Sequence, residues 1–280
     1  MRTDCGSSRR IGIVGAAFAA VVLMLVTGAL EAEAPKSPGP NAHPDRIVAF
    51  LRAVRSAPLP DYLDDVKQIM SGTNDAAVLV EAMRALPALF MAGAEPEEIA
   101  GAVGAKLTSA FTDARVRRAG VVALSTVKSP ASFELLLEMV YSERDEEVLK
   151  RTYWALSRLS GQNFPANPDA WKRWWDGQMM LVGEVAGLLL AGKTDDVIVG
   201  LAAFPKVALP GRRLVELVAE HLYHPHPRVR EAACQALGGS EVIKWKSVRR
   251  SLTDAARSET QANVNEALAA VLKSSGGDAQ

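Results

Sequence analysis

The sequence predicts an all-α fold: a right-handed α-solenoid of about six helix pairs, preceded by an apolar N-terminal anchor or signal helix. Three observations carry that prediction. The 280 residues are 49% hydrophobic but only 6% aromatic, and Ala and Leu dominate, which favours helices over a β-sandwich or barrel. One pattern recurs along the chain: a polar turn, then a valine, then Ala-Leu or a close variant seven and eight residues later. An amphipathic segment precedes each copy, so that no pair buries its apolar stripe alone and stacking joins the stripes into one core.

The first ten residues form a basic n-region with Arg2, Arg9 and Arg10, and residues 11–30 are an uncharged apolar run. Twenty helical residues rise about 30 Å, the thickness of a hydrocarbon core. Positive-inside logic places residues 1–10 in the cytoplasm and the chain after about residue 31 outside it. Two outcomes stay open. An uncleaved anchor would leave the protein single-pass in a bacterial inner membrane with its C-terminal domain in the periplasm or outside, and signal cleavage would release it to the periplasm. Residues 31–43, with Pro35, Pro38, Gly39 and Pro40, read as a spacer. Cys5 and Cys234 are the only cysteines, which excludes a disulfide framework or a four-cysteine zinc site, and either export reading separates the two.

Residues 44–275 form the repeat region, and 276–280 read as a disordered tail. Asp45–Ala57 is an extra helix capping the start. The repeat anchors are Val78, Val116, Val148, Val229 and Val264, spaced 38, 32, 81 and 35 residues apart. The gap of 81 fits two periods, with a degenerate copy at Thr194–Phe204 anchored on Val197. The helices preceding the anchors are Asp61–Met70, Pro96–Phe111, Pro130–Tyr141, Gly211–Tyr223 and Val242–Ala256. Ser129 caps the third of these, with Pro130 at the first helical position. A Trp-rich seam spans 161–178. There Asn167-Pro168-Asp169 opens a helix that carries Trp171, Trp174 and Trp175 on one face, which reads either as an aromatic platform for a ligand or, as the irregular repeat spacing favours, as wedges between repeats three and four. Met179–Leu190 reads as a further buried helix, too short to span a bilayer.

The candidate chemistry is sparse. His221, His224 and His226 cluster at a proline-rich turn, where three imidazoles invite a metal; no carboxylate or cysteine accompanies them, and no metal is expected. Cys234 sits where the repeat wants a small apolar side chain, so it reads as core rather than nucleophile. The carboxylates at Asp64-Asp65, Asp145-Glu146-Glu147 and Asp195-Asp196 complement helix N-termini. No catalytic motif appears, and no catalytic residue or cofactor is expected. The arginines are the strongest surface feature. Arg115, Arg117, Arg118, Lys150, Arg151, Arg228 and Arg230 form a candidate partner-binding stripe, with Arg158 beside them and KWKSVRR at 244–250 adding further cations. The bland counterpart is a ladder of ion pairs between neighbouring repeats. Equal numbers of cations and anions, 32 each, argue against a nucleic-acid partner.

HPRVREAACQALG and DARVRRAGVVAL resemble the second helix of a HEAT repeat, which reads D-x-x-V-R-x-x-A-x-x-A-L. ALSRLSGQNFPANPDAWKRWW is similar to a segment found in bacterial HEAT-repeat proteins of the cell envelope. The resemblance implies a solenoid that binds macromolecules, with the second helices lining a concave face and a protein partner docked there. It also implies a ladder role for Asp113 with Arg118. Two other functions fit the same architecture: an enzyme of the DNA glycosylase or bilin lyase type, and a purely structural envelope spacer.

Overall fold

The structure is a computed structural model that describes residues 35–107 and 113–275. The chain divides into a unit Met1–Lys36 and a unit Ser37–Gln280. The apolar run at 11–30 and the tail at 276–280 lie outside the described residues, as do the basic n-region and Cys5. Among the described residues no helix is long and apolar enough to cross a membrane.

Within the second unit, thirteen α-helices are described: α1 (Pro44–Ser56), α2 (Tyr62–Gly72), α3 (Ala76–Met91), α4 (Pro96–Leu107), α5 (Ala114–Leu124), α6 (Pro130–Ser142), α7 (Glu146–Ser160), α8 (Pro168–Leu190), α9 (Thr194–Ala203), α10 (Arg212–Glu220), α11 (Pro227–Gly238), α12 (Lys246–Ser258) and α13 (Ala262–Ser275). After the capping helix α1 these form six successive pairs. Several helix starts have a local cause. Asp75, Asp113, Asp145 and Asn167 accept backbone N–H bonds at the N-termini of α3, α5, α7 and α8, and Ser129 accepts the amide of Ser132 at α6. Gly161, at φ 69°, ends α7 in the left-handed conformation that glycine adopts without a Cβ penalty.

The repeat register is built on the valines. Val78, Val116, Val148, Val197, Val229 and Val264 are all 2% exposed or less. The second helices pack side by side as α1–α3–α5–α7 and as α9–α11–α13, and the first helices follow as α2–α4–α6–α8–α10–α12. Between α7 and α9 the second-helix layer is interrupted.

That interruption divides the core in two. One buried cluster runs from Ile47 to Trp175, the other from Val185 to Leu268. Helix α8 belongs to both. Its first turns insert Trp171 and Trp175 into the first cluster, and its last turns insert Val185 and Leu189 into the second. The separate buried helix expected at Met179–Leu190 does not form. The stretch continues the Trp helix as one element of 23 residues, and Met180 and Leu190 are exposed because α8 crosses the gap between the cores. The expected helix Val242–Ala256 is also broken, by a 3-10 turn at Glu241–Lys244 that ends before α12.

The repeats do not contact their neighbours alone. The segment between α9 and α10 folds back so that Leu209 joins the first core, and the Ala208 amide donates to Gln178 Oε1 at 2.9 Å. Arg212 pairs with Glu95 at 3.3 Å, and Lys128 pairs with Glu241. A simple stack holds each repeat by its neighbours only; here the fifth pair is also tied to the second and to the turn that follows it.

Candidate interaction surface

The seven basic residues of the predicted stripe separate into two kinds. Arg117 and Arg230 are structural. Each follows its anchor valine, and each reaches into the next repeat. Arg117 donates Nε and Nη2 to Glu143 at 2.7 and 3.1 Å. Arg230 donates the same two nitrogens to Glu259 at 2.6 and 2.8 Å. Arg115 turns back on the cap of its own helix, donating Nη2 to Asp113 Oδ2 at 2.8 Å. The Asp113–Arg118 ladder implied by resemblance is therefore replaced. Asp113 holds Arg115, which keeps the Asp113 carboxyl at about 2, and the rung between repeats runs from Arg117 to Glu143. Lys150 pairs with Glu146 and Glu147 on its own helix.

Arg118, Arg151 and Arg228 are exposed and form none of the ion pairs found among the described residues. Arg151 and Arg158 bracket Trp154, with guanidinium carbons 5.5 and 5.6 Å from the ring centroid, within reach of a cation–π attraction. Trp154 is 42% exposed, unusual for the largest apolar side chain. It sits six residues after its anchor valine. The same position carries Arg84 on α3 and Val122 on α5, both exposed, so α3, α5 and α7 present one outward row.

Sequence reasoning missed the other end of this surface. Glu81 on α3 is 7% exposed and is ringed by three guanidiniums: Arg84 at 2.8 Å, Arg55 at 3.5 Å and Arg52 at 3.9 Å. Arg52 and Arg55 come from α1, the helix that caps the start of the repeats. The signal was present in the repeat register, because Arg84 stands where Trp154 stands. The corresponding surface of α9, α11 and α13 differs in charge. Two residues after the anchor, α5 and α7 carry Arg118 and Lys150, whereas α11 and α13 carry Glu231 and Glu266.

The histidine turn does not assemble a metal site: among the described residues no group of three His, Cys, Asp or Glu side chains is placed to hold a metal. His224 Nδ1 accepts from the His226 amide and His226 Nδ1 from the Arg228 amide, so both rings serve as turn and cap acceptors. His221 is partly buried against Leu189 and has its pKa pushed down by burial. Cys234 is buried in the second core, and burial raises its thiol to about 12, which keeps it protonated and inert. A cleft of about 240 Å³ lies between the His221–Tyr223 turn and the end of α12. Its charged groups, Arg230 and Glu259, are already bonded to each other, and it is smaller than ordinary ligand pockets.

The family model for the HEAT repeat matches residues 214–239, the body of α10 and α11, and supports reading the chain as a HEAT-repeat protein. No curated protein matches the chain. The crystal structure of an engineered protein is 17% identical over 84% of this chain and 85% of that chain, with a TM-score of 0.29, a likeness too weak to carry an argument.

Proposed function

We propose that the protein is a non-catalytic interaction scaffold, presented outside the cytoplasm by its N-terminal segment, which docks a protein partner on the outward surface of α1, α3, α5 and α7. The observation that carries the reading is the outward row of Arg84, Val122 and Trp154, flanked by exposed guanidiniums. HEAT repeats commonly mediate protein–protein contacts. Exposed Trp and Arg are the residues most enriched at the energetic centres of such contacts. The extracytoplasmic address rests on the arginines ahead of the apolar run at 11–30.

A photo-crosslinking amino acid placed at Val122, and in a control at Glu134 on α6, tests the surface in intact cells of the native host. A discrete heavier adduct from position 122 and none from 134 is the expected result. Equal labelling, or none, overturns the reading. Protease added outside the cytoplasmic membrane tests the address: a C-terminally tagged chain should be digested there, and full protection in the cytosol would sink the export half of the proposal.

A further inference from the structure

The charge on the α1–α3–α5–α7 layer is not spread evenly, and its pattern identifies the chemistry of what fits. The helices of this layer all run in one direction, because one antiparallel helix separates each from the next. Their capping acids Asp75, Asp113 and Asp145 therefore lie along one edge. Beyond that edge the exposed bodies of the helices carry guanidiniums: Arg52 and Arg55 on α1, Arg84 on α3, Arg118 on α5, Arg151 and Arg158 on α7. Against these six stand the buried Glu81, shared by the first three, and, in the first turn of α7, Glu146 and Glu147, which pair with Lys150. The surplus is local, since the chain as a whole has zero formal net charge and α11 and α13 carry Glu231 and Glu266 where α5 and α7 carry Arg118 and Lys150.

We infer that this layer binds an extended, carboxylate-rich segment of a partner protein, an inference that rests on the scaffold reading above. Guanidinium forks match carboxylates bidentately, and Trp154 offers an apolar plate between two of them. Side-by-side helices lie about 8–10 Å apart, so four span about 27 Å. An extended chain covers that in about eight residues. The strip is bounded by the row of capping acids, which repels a broad polyanion such as a nucleic-acid duplex or an anionic bilayer but leaves room for a single extended strand.

The test is fluorescence polarisation on the full chain. The probe is a fluorescein-labelled peptide of about ten glutamates, long enough to cross all four helices. A decalysine peptide, a labelled oligothymidylate of the same length and phosphatidylglycerol vesicles serve as rivals. The glutamate peptide should bind, the lysine peptide should not, and raising NaCl from about 50 to about 300 mM should weaken binding about tenfold. The triple variant R118E/R151E/R158E should lose at least about tenfold, whereas R228E on the other layer should stay within about twofold. Thermal melts of both variants establish that they fold, and the single substitution Trp154→Ala, expected to weaken binding about threefold, gives a gentler probe. Tighter binding of the oligothymidylate or the vesicles overturns the inference, as does glutamate binding that the triple variant leaves intact. If the glutamate peptide does not bind while the crosslinker at Val122 still yields its adduct, the acidic-segment inference falls and the scaffold stands. If neither signal appears, both fall.

Discussion

Arg117 Nε lies 2.7 Å from Glu143 Oε2, and this contact recurs three repeats later as Arg230 with Glu259 at 2.6 Å. In both, the arginine follows the anchor valine and the glutamate ends the first helix of the next pair. In both, the other carboxylate oxygen, Oε1, accepts the arginine Nη2 and the amides of the two residues that follow the glutamate. The rung thus closes a turn and clamps two repeats at once. Glu143 and Glu259 are only 6% and 4% exposed, so removing one partner leaves a charge with little water. Arg117→Ala and Arg230→Ala should each cost about 2 kcal/mol, discounted from the value for a fully buried pair. Urea denaturation checks this, and the two losses should add, because the sites share no partner.

Acid should reveal the second rung. Hydrogen bonds from Arg230 hold the Glu259 carboxyl down at about 2, against an ordinary 4.5. A carboxylate whose native value is depressed contributes stability that is fully present above 4.5 and is lost as pH falls from there toward 2. The melting temperature of the native chain should therefore fall through that window. In Arg230→Met the fall should be shallower. An equal slope in both proteins would detach the acid response from this pair.

The repeat framework was legible in the sequence because a valine recurs 32 to 38 residues apart at four of five steps, with one longer step of 49 residues across α8, and such a recurrence is a one-dimensional signal. All six anchors are buried as the spacing requires. The caps at Ser129 and Asn167 were legible for the same local reason. What the sequence concealed was long-range. Asp113 has Arg115, Arg117 and Arg118 within five residues, and nothing local says which one it keeps and which crosses to Glu143. Glu81 reads as a solvated acid until α1 brings Arg52 and Arg55 beside it. The division of the core along α8 was hidden too: an apolar stretch such as Met179–Leu190 looks the same whether it starts a new element or bridges two.

The aromatic seam is structural, and its loss should be costly. Phe133 stacks on Trp175 at 4.6 Å between ring centroids and meets Trp174 at 5.2 Å and Trp171 at 6.4 Å. Trp171 is fully buried, and its indole N–H donates to the Pro165 carbonyl at 3.2 Å. Trp171→Ala should destabilise the chain by about 3–5 kcal/mol through the cavity it leaves. Trp154→Ala, which removes an exposed ring, should change stability by less than about 0.5 kcal/mol. Parallel urea titrations of the two variants separate a packing tryptophan from a surface one.

His221 sets a second pH window, of opposite origin. Its ring rests against the Leu189 backbone at the end of α8, faces His224 at 5.9 Å between centroids, and has Glu220 beside it in the chain. Its Nε2 is buried without a hydrogen-bond partner. Burial pulls its pKa below the ordinary 6.5, despite the opposing pull of the Leu189 carbonyl and Glu220. The native state thus favours the neutral ring, so stability is greatest above 6.5 and declines as pH falls through 6.5 toward the lowered native value. His221→Leu should flatten the melting temperature between about pH 7 and pH 5. A native profile already flat in that range would contradict the assignment.

Two glycines of α8 should reverse the usual sign of mutation. An added Cβ at Gly183 or Gly187 meets nothing within 4 Å, since both lie on the exposed side of the bridging helix. Glycine inside a helix costs about 0.8–1.0 kcal/mol relative to alanine, because it gives up more backbone freedom on folding. Gly183→Ala and Gly187→Ala should therefore each raise stability by nearly that amount. Gly120 supplies the contrast. A Cβ there would stand 2.9 Å from Leu107 Cδ2 and 3.2 Å from Val103 Cγ1, where α5 presses on α4, so Gly120→Ala should cost more in packing than it gains in the helix. Urea midpoints that rise for both α8 variants and fall for Gly120→Ala would establish that the glycine-bearing face of α8 is unpacked. If the α8 variants fell instead, that face would be packed rather than open.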